Sequence, residues 1–250
     1  MINTKTLPEI EAMRESGKIL AKVFDVIAEN FKVGVTAAFL DTLAKTTIES
    51  FGATPSFLGF SGYAYSICIS KNEEVVHGIP YPDKIMFPGD ICSVDIGVYY
   101  NGFHADAARI YKLDPIDPLI SKLVEVTEAC FFKACDVAKA GNRLGDISNA
   151  IQTHAESHGF SVVRDLYSHG IGRNLHEEPL IPNFGKANRG LVLKEGMTFA
   201  IEPMINIGTY DILTLPDKWT IITRDQKWSA HYENTICITK DYPEILTMAK

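Results

Sequence analysis

The sequence predicts an α/β protein of the α+β type that forms one domain over residues 1–250 and consists of two similar halves. Helical and strand-like patterns occur in the order helices, strands, helices, strands. A shift of 107 residues aligns parts of the first half with the second, and no low-complexity linker separates the two. The halves are expected at about 1–113 and 114–250.

Two helices are predicted in the first half. Thr6 and Glu9 form a capping box around Pro8, and apolar residues then recur at helical spacing. A second helix follows Thr36 and ends before Gly52. The apolar face predicted for this second helix consists of Leu40, Leu43, Thr47 and Phe51.

Strands follow the helices in each half. Residues 66–113 are rich in β-branched residues and are interrupted by Gly and Pro, which predicts several strands. Two further helices are expected at roughly 118–140 and 144–158, the second ending before Gly159. The strands predicted in the second half are Met197–Ile201, Trp219–Thr223 and Tyr232–Thr239.

The internal repeat relates individual positions at one constant offset. Asp95 aligns with Glu202, so two equivalent strands would each present a carboxylate towards a shared axis. The other matched pairs are Gly34 with Gly141, Glu49 with Glu156, Ser50 with Ser157, Gly52 with Gly159, and Gly89 with Gly196. A site between two similar halves is therefore expected.

Composition limits the functional class. The formal net charge of -7 argues against nucleic acid as the main ligand, because phosphate binding requires a basic surface. The sequence shows neither an apolar signal segment nor a stretch long enough for a membrane span. Its five cysteines include no CxxC pair, which favours reduced thiols in the cytoplasm over disulfides or a zinc finger.

Four acidic residues lie in largely apolar segments: Asp95, Asp106, Glu202 and Glu233. A buried carboxylate is costly unless a cation or several hydrogen-bond donors compensate its charge. Each acid could instead be a strand-edge residue or pair with an arginine. The arginines considered for such pairing are Arg109, Arg164 and Arg173. A shared cation accounts for all four acids together.

Histidines supply nitrogen donors. His169 lies between Ser168 and Gly170, where glycine permits a close approach of the backbone. One imidazole and four carboxylates suit two adjacent divalent ions, and iron, manganese, cobalt and zinc all fit this mixed set. His77 and His176 are either groups that stabilise a developing oxyanion or exposed loop histidines. The histidines expected to be structural are His104, His154, His158 and His231.

Asp95, Asp106, His169, Glu202 and Glu233, in this order, resemble the ligand set of the methionine aminopeptidases. The segments that begin at His77, His169 and His176 are also similar to motifs of that family. The short spacings after His169 resemble the bacterial type I form. The resemblance covers nearly the whole chain. It implies the pita-bread fold, with pseudo-twofold halves and a central curved antiparallel sheet covered by helices.

The resemblance also implies roles for the five ligands. Asp95 would chelate one metal ion, and His169 and Glu202 would hold the other. Asp106 and Glu233 would bridge the two ions. A metal-bridging hydroxide would attack the scissile carbonyl, and Glu202 would shuttle the proton.

By the same resemblance, His77 would contact the scissile amide nitrogen, and His176 would contact the carbonyl oxygen or its oxyanion. The pocket for the methionine side chain should be apolar and narrow, to accept an unbranched thioether. The residues expected to line it are Phe57, Phe60, Tyr63, Cys68, Leu175 and Trp219. Ordinary core packing is the alternative explanation for these six.

Several positions depart from the family pattern. Ala107 stands where a hydroxyl residue is usual, Leu175 where Phe is usual, and Ala64 where Pro is common. His231 and Asn234 stand where Gln and His are usual. None of these changes removes a ligand, but they affect the pocket and the groups around the ligands.

The resemblance implies a metalloaminopeptidase that removes the N-terminal methionine from nascent proteins and peptides whose next residue is small. It implies a cytoplasmic monomer, with the ribosome as a further candidate partner. An X-Pro peptidase of the same fold is the alternative hydrolase, although such enzymes usually carry an additional N-terminal domain. A metal-free binding protein or a creatinase-like enzyme would typically lack ligands that this chain retains.

Overall fold

The computed structural model describes residues 4–248. The helices in this range are α1 (Leu7–Asn30), α2 (Ala37–Ser50), α3 (Pro118–Val137) and α4 (Leu144–Ser157), with a short 3-10 turn at Phe60–Gly62. The strands are β1 (Thr54–Pro55), β2 (Ile67–Lys71), β3 (Glu74–Val76), β4 (Ile91–Tyr100), β5 (Phe103–Lys112), β6 (Ser161–Val162), β7 (Tyr167–Gly170), β8 (Glu177–Pro182), β9 (Thr198–Ile201), β10 (Met204–Asn206), β11 (Ile212–Thr214), β12 (Ile221–Thr223), β13 (Ser229–His231), β14 (Glu233–Cys237) and β15 (Glu244–Ile245). No helix within 4–248 is long and apolar enough to cross a membrane.

The start of α1 is confirmed. The Glu9 carboxylate accepts hydrogen bonds from the Thr6 backbone N–H at 2.8 Å and from the Thr6 hydroxyl at 2.9 Å. These bonds fix the first turn, where backbone N–H groups have no partner within the helix. The buried face of α1, which includes Leu20 and Ile27, then packs towards β4 and β5.

The apolar face predicted for α2 is wrong by about one residue. The buried positions are Ala37, Leu40, Ala44 and Ile48. Residues three and four apart form one stripe along a helix, and the two alanines allow a close approach to the sheet. Phe51 lies beyond the helix end and is 38% exposed, with the Lys22 ammonium 5.2 Å from its ring centre.

The other predicted elements are present with shifted ends. Helix α3 ends at Val137, about three residues before its predicted end, and α4 spans Leu144–Ser157. The three strands predicted in the second half correspond to β9, β12 and β14. Strands β7 and β8 were not predicted, although β7 positions His169.

A large antiparallel sheet forms the centre of the molecule. Its main path is β1-β4-β5-β14-β9-β7-β8, with β2 beside β4 and β15 beside β14. The β4–β5 hairpin pairs Ile91 to Tyr100 with Lys112 to Phe103 without interruption. The halves meet where β5 pairs with β14, with Ala108 opposite Glu233.

The duplication is visible in the backbone. Helices α2 and α4 have the same length and begin at the 107-residue offset. Two isolated bridges, Thr36 with Ile85 and Arg143 with Val192, are related by the same offset. The hydrophobic core is divided in a similar way, since α1 and α2 pack on the first half of the sheet while α3 and α4 cover the second. The expected α/β fold with two similar halves is confirmed.

Candidate metal centre and substrate pocket

Five neighbouring strands each bring one predicted ligand to a single cavity. Asp95 lies on β4, Asp106 on β5, Glu233 at the start of β14 and His169 on β7, while Glu202 directly follows β9. These strands are consecutive in the sheet, although their residues are far apart in sequence. All five side chains line one cavity of about 100 Å³.

Strand pairing fixes the carboxylates around β5. Asp95 is opposite Ala108, and Ala108 is opposite Glu233, so these two acids flank the same position of β5. The Asp106 backbone is bonded to Thr235 in both directions: its N–H donates to the Thr235 hydroxyl, and that hydroxyl donates to the Asp106 carbonyl, each at 2.9 Å. The backbones that hold these acids are thus set by the sheet rather than by flexible loops.

Side-chain hydrogen bonds fix the remaining two ligands. The His169 Nδ1–H donates to the Gly170 carbonyl at 2.8 Å, which leaves Nε2 with its lone pair facing the cluster. The Glu202 N–H donates to the Ser168 hydroxyl at 2.9 Å, and the Asn183 side chain donates to the Glu202 carbonyl at 2.9 Å. The His169 Nε2 and Glu202 Oε1 atoms are 3.6 Å apart.

Burial and mutual repulsion act strongly on the acids. Burial, followed by the charges of neighbouring acids, raises the pKa of Asp95 and of Glu233 well above their ordinary values. Burial also raises the pKa of Glu202, with a contribution from Asp106. Burial lowers the pKa of His169 to about 3, so the contact of its ring with Glu202 is not an ion pair. Without a cation, such a cluster would take up protons.

Unpartnered oxygens test whether a metal ion fits. Oδ1 of Asp95, Oδ1 of Asp106 and Oε1 of Glu233 are buried and accept no hydrogen bond within the described chain. Buried polar atoms without partners are costly and rare. Donor atoms of Asp106, His169 and Glu233 also lie within 4.8 Å of one another. These carboxylate and imidazole donors fit a divalent metal ion.

Arginine pairing, the alternative explanation for the buried acids, is not what the structure shows. Arg109 donates to the backbone carbonyl of Glu233 at 2.7 Å rather than to its carboxylate. Arg164 stacks over Tyr210, with 4.0 Å to the ring centre. Arg173 pairs with Glu9 at 3.0 Å, on the surface.

The predicted pocket residues surround the same cavity. Phe57, Tyr63, Cys68 and Leu175 are buried there, and the rings of Tyr63 and Trp219 meet edge to face at 4.9 Å. Phe60 also lines the cavity but remains 39% exposed. An apolar wall therefore adjoins the cluster of acids. These residues line the cavity, so ordinary core packing does not fully account for their positions.

His77 and His176 also line this cavity. His77 follows β3 with a left-handed φ of 57°, a conformation that is uncommon for residues other than glycine. Burial lowers the pKa of His77 to about 4, so it is a neutral imidazole. His176 is exposed, and its ring meets that of His169 edge to face at 4.2 Å. Neither residue is an isolated surface histidine.

Three of the four histidines expected to be structural lie away from the cavity. His104 Nδ1 is 2.9 Å from the Ser56 hydroxyl, and the rings of His154 and His158 lie 4.6 Å apart on α4. His231 is different, since its imidazole groups with Glu202 and with Glu233, two of the predicted ligands. The sequence analysis did not indicate this grouping, although His231 stands two residues before Glu233, the spacing that places strand side chains on one face.

Comparison with known proteins identifies the family. Residues 11–240 match the profile of metallopeptidase family M24. The chain is 49% identical to a methionine aminopeptidase of Clostridium perfringens, with all of both chains covered. A crystal structure of methionine aminopeptidase from Thermotoga maritima superimposes with a TM-score of 0.98 and 44% identity, again covering both chains in full.

A structure of much lower sequence identity also shares the fold. Prolidase from Pyrococcus furiosus has a TM-score of 0.79 at 21% identity, covering 99% of this chain but 66% of that one. It shows that the fold is shared with prolidases and nothing more. Sequence profile, full-length identity and structural agreement lead to one conclusion: the chain belongs to metallopeptidase family M24, in its methionine aminopeptidase group, and is a metal-dependent hydrolase of the bacterial type I form.

Proposed function

We propose that this chain removes the N-terminal methionine from peptides and nascent proteins whose second residue is small. One observation carries the proposal: donors from five consecutive strands converge beside a narrow apolar cavity. The relatives that match over the full length are named methionine aminopeptidases, which supports the same activity. The X-Pro alternative is supported only by the shared fold.

The proposed centre holds two divalent ions. Asp95 would bind one ion, His169 and Glu202 the other, and Asp106 and Glu233 would bridge them. When bound, such ions polarise a carbonyl and lower the pKa of a coordinated water. Iron, manganese, cobalt and zinc all suit these donors.

The chain itself orients the substrate and moves the proton. His77 would contact the scissile amide nitrogen, and His176 the carbonyl oxygen or its oxyanion, since both imidazoles line the cavity. The Glu202 carboxylate lines the cavity, with Oε1 3.6 Å from His169 Nε2. It is the best placed group to take up a proton and return it to the leaving amine.

The methionine side chain would occupy the apolar part of the cavity. Tyr63, Trp219 and Leu175 would enclose the thioether, with Phe57, Phe60 and Cys68 completing the wall. The Tyr63 hydroxyl donates to the Ile67 carbonyl at 2.9 Å, so it leaves an apolar ring facing the cavity. This wall would exclude water from the scissile bond.

We further propose that residues 1–250 act as one catalytic domain, as a monomer in the cytoplasm, on chains emerging from the ribosome. All proposed ligands and pocket residues come from one chain, so no second copy is needed to complete the site. The five cysteines are buried and unpaired, which suits a reducing compartment.

A peptide assay tests the activity. The protein is stripped with chelator, supplied in turn with manganese, cobalt, iron or zinc, and offered Met-Ala-Ser beside Ala-Pro-Ala. Metal-dependent release of methionine from the first peptide alone is expected. Turnover of only the second peptide would instead support an X-Pro peptidase, and turnover of neither would contradict the proposal.

A further inference from the structure

His231 is a buried imidazole beside two carboxylates. It is 1% exposed, and neither ring nitrogen has a hydrogen-bond partner within the described chain. Its Nε2 lies 3.4 Å from Glu202 Oε2 and 3.7 Å from Glu233 Oε2. Donor atoms of these three residues all lie within 4.8 Å of one another. The ring therefore faces a carboxylate pair and forms no hydrogen bond with any other group of residues 4–248.

This arrangement is costly unless something binds there. A polar ring with both nitrogens desolvated and unpaired is less favourable than an apolar side chain of similar size. A neutral imidazole beside two carboxylates is, however, a donor set that divalent transition metals prefer.

We propose that His231 is an additional nitrogen ligand of the metal centre, which binds a divalent transition metal together with Glu202 and Glu233. The inference rests on the metal dependence in the proposed function, but it does not depend on which peptide is cleaved. It adds a second imidazole to a centre for which the sequence predicted only His169.

The two imidazoles approach Glu202 from different sides. His169 Nε2 lies near Oε1, and His231 Nε2 lies near Oε2. Because each imidazole faces a different oxygen of Glu202, this carboxylate can lie beside both rings at once. Glu233 belongs to both groups of donors, one with Asp106 and His169 and the other with Glu202 and His231.

Backbone pairing holds the His231 side of the cluster in place. His231 is opposite Met204 where β13 pairs with β10, and its N–H donates to the Ser93 hydroxyl at 3.0 Å. Among the residues that the structure describes, its ring Nδ1 has no acceptor comparable to the Gly170 carbonyl that orients His169. We therefore expect His231 to be the weaker of the two nitrogen ligands.

An additional imidazole changes the preferred metal. Imidazole suits zinc, cobalt and iron, whereas carboxylate and water suit manganese and magnesium. His231 should therefore increase the affinity for cobalt and zinc more than the affinity for manganese.

Metal binding by His231→Gln and His231→Leu tests the inference. Chelator-stripped wild-type and variant proteins are titrated with cobalt and with manganese in competition with a chromophoric chelator. X-ray absorption of the cobalt-loaded proteins counts imidazole ligands. Both variants should bind cobalt about tenfold or more weakly, with one imidazole fewer and a much smaller change for manganese. His154→Gln, at a half-buried position of α4 that does not line the cavity, is the control and should match wild type.

The outcomes separate this inference from the proposed activity. Unchanged cobalt affinity and imidazole count in both variants would overturn it, even if turnover fell, because His231 would then act only by positioning Glu202. Equal losses for cobalt and manganese with an unchanged imidazole count would overturn it as well. If wild type bound metal through His231 but released no methionine, the proposed function would fail while this inference stood.

Discussion

The first half of the sheet supplies only carboxylates to the cluster, whereas the second half supplies carboxylates and imidazoles. Asp95 and Asp106 lie on β4 and β5, and His169, Glu202 and Glu233 come from the second half. The 107-residue offset relates Asp95 to Glu202, so duplication explains the places of these two donors. It does not relate the other three ligands to one another. The first half therefore offers only oxygen donors to the centre, whereas the second half offers both oxygen and nitrogen donors.

The two halves also hold their donors in different ways. The β4–β5 hairpin is paired continuously over ten residues on each strand. Strand β7 has four residues, and its pairing with β8 shifts register between His169 and Gly170. Side-chain hydrogen bonds from Ser168 and Asn183 to the Glu202 backbone compensate for the shorter strands. The second half should therefore be the more sensitive to single side-chain changes.

The largest effect is expected from the paired acids. Asp95→Asn and Glu202→Gln each remove a charge at equivalent positions of the two halves, and each should lower methionine release by more than about 100-fold, because loss of a ligand costs more than loss of its supporting group. Metal content, measured by elemental analysis, should fall in both. Full metal occupancy in Asp95→Asn would contradict its proposed role as a ligand.

A second prediction concerns the contact between the halves. Arg109 on β5 donates to the Glu233 carbonyl and to the Asn234 side chain, each at 2.7 Å. Arg109→Met leaves both acceptors without this donor and should reduce the free energy of unfolding by about 2–3 kcal/mol. Thermal denaturation should show Tm lower by roughly 5–10 °C. The exposed Arg143→Met is the control, and equal losses in the two variants would refute the claim.

A smaller effect tests the role of side chains in the second half. The buried Ser168 hydroxyl accepts from the Glu202 N–H. Ser168→Ala removes this acceptor, and since Glu202 is then less firmly placed, kcat should fall by about tenfold. A KM that stays within about twofold would separate this effect from damage to the methionine pocket. Unchanged kcat would show that the strand pairing alone places Glu202.

The smallest effect tests the duplication itself. Gly52 and Gly159 follow equivalent helices with φ of 69° and 82°, and an added Cβ would meet nothing within 4 Å at either. Alanine at either position should destabilise by about 1 kcal/mol, because only the backbone conformation is strained. Denaturant titration should give similar losses and unaltered activity. A several-fold difference between the two losses in free energy of unfolding would mean that the two turns are not equivalent.

Patterns that depend on local chemistry were predictable from the sequence. The capping box of α1, the glycine ends of α2 and α4, and buried acids such as Asp95 follow from rules that act within a few residues. Strand β7 was not predictable in this way. Its residues around His169 are not β-branched, and they become a strand because Ala200 of β9 pairs with them.

His231 shows a second limit of sequence reasoning. Its spacing to Glu233 was available in the sequence, but a single histidine near a strand is usually structural. The position of the Glu202 carboxylate, which directly follows β9, shows that the ring faces an acidic group. The prediction of the buried face of α2 was wrong for a related reason. Two alanines and the distance to the sheet decide which side of this helix is buried.

Anomalous scattering from crystals of the cobalt-loaded protein tests the central claim most directly. Data collected at the cobalt absorption edge locate the metal without reference to any assumed role. We expect two peaks inside the cavity, within coordination distance of Asp95, Asp106, His169, Glu202 and Glu233. An empty cavity in crystals that contain cobalt elsewhere, or peaks that contact none of these five residues, would contradict the account.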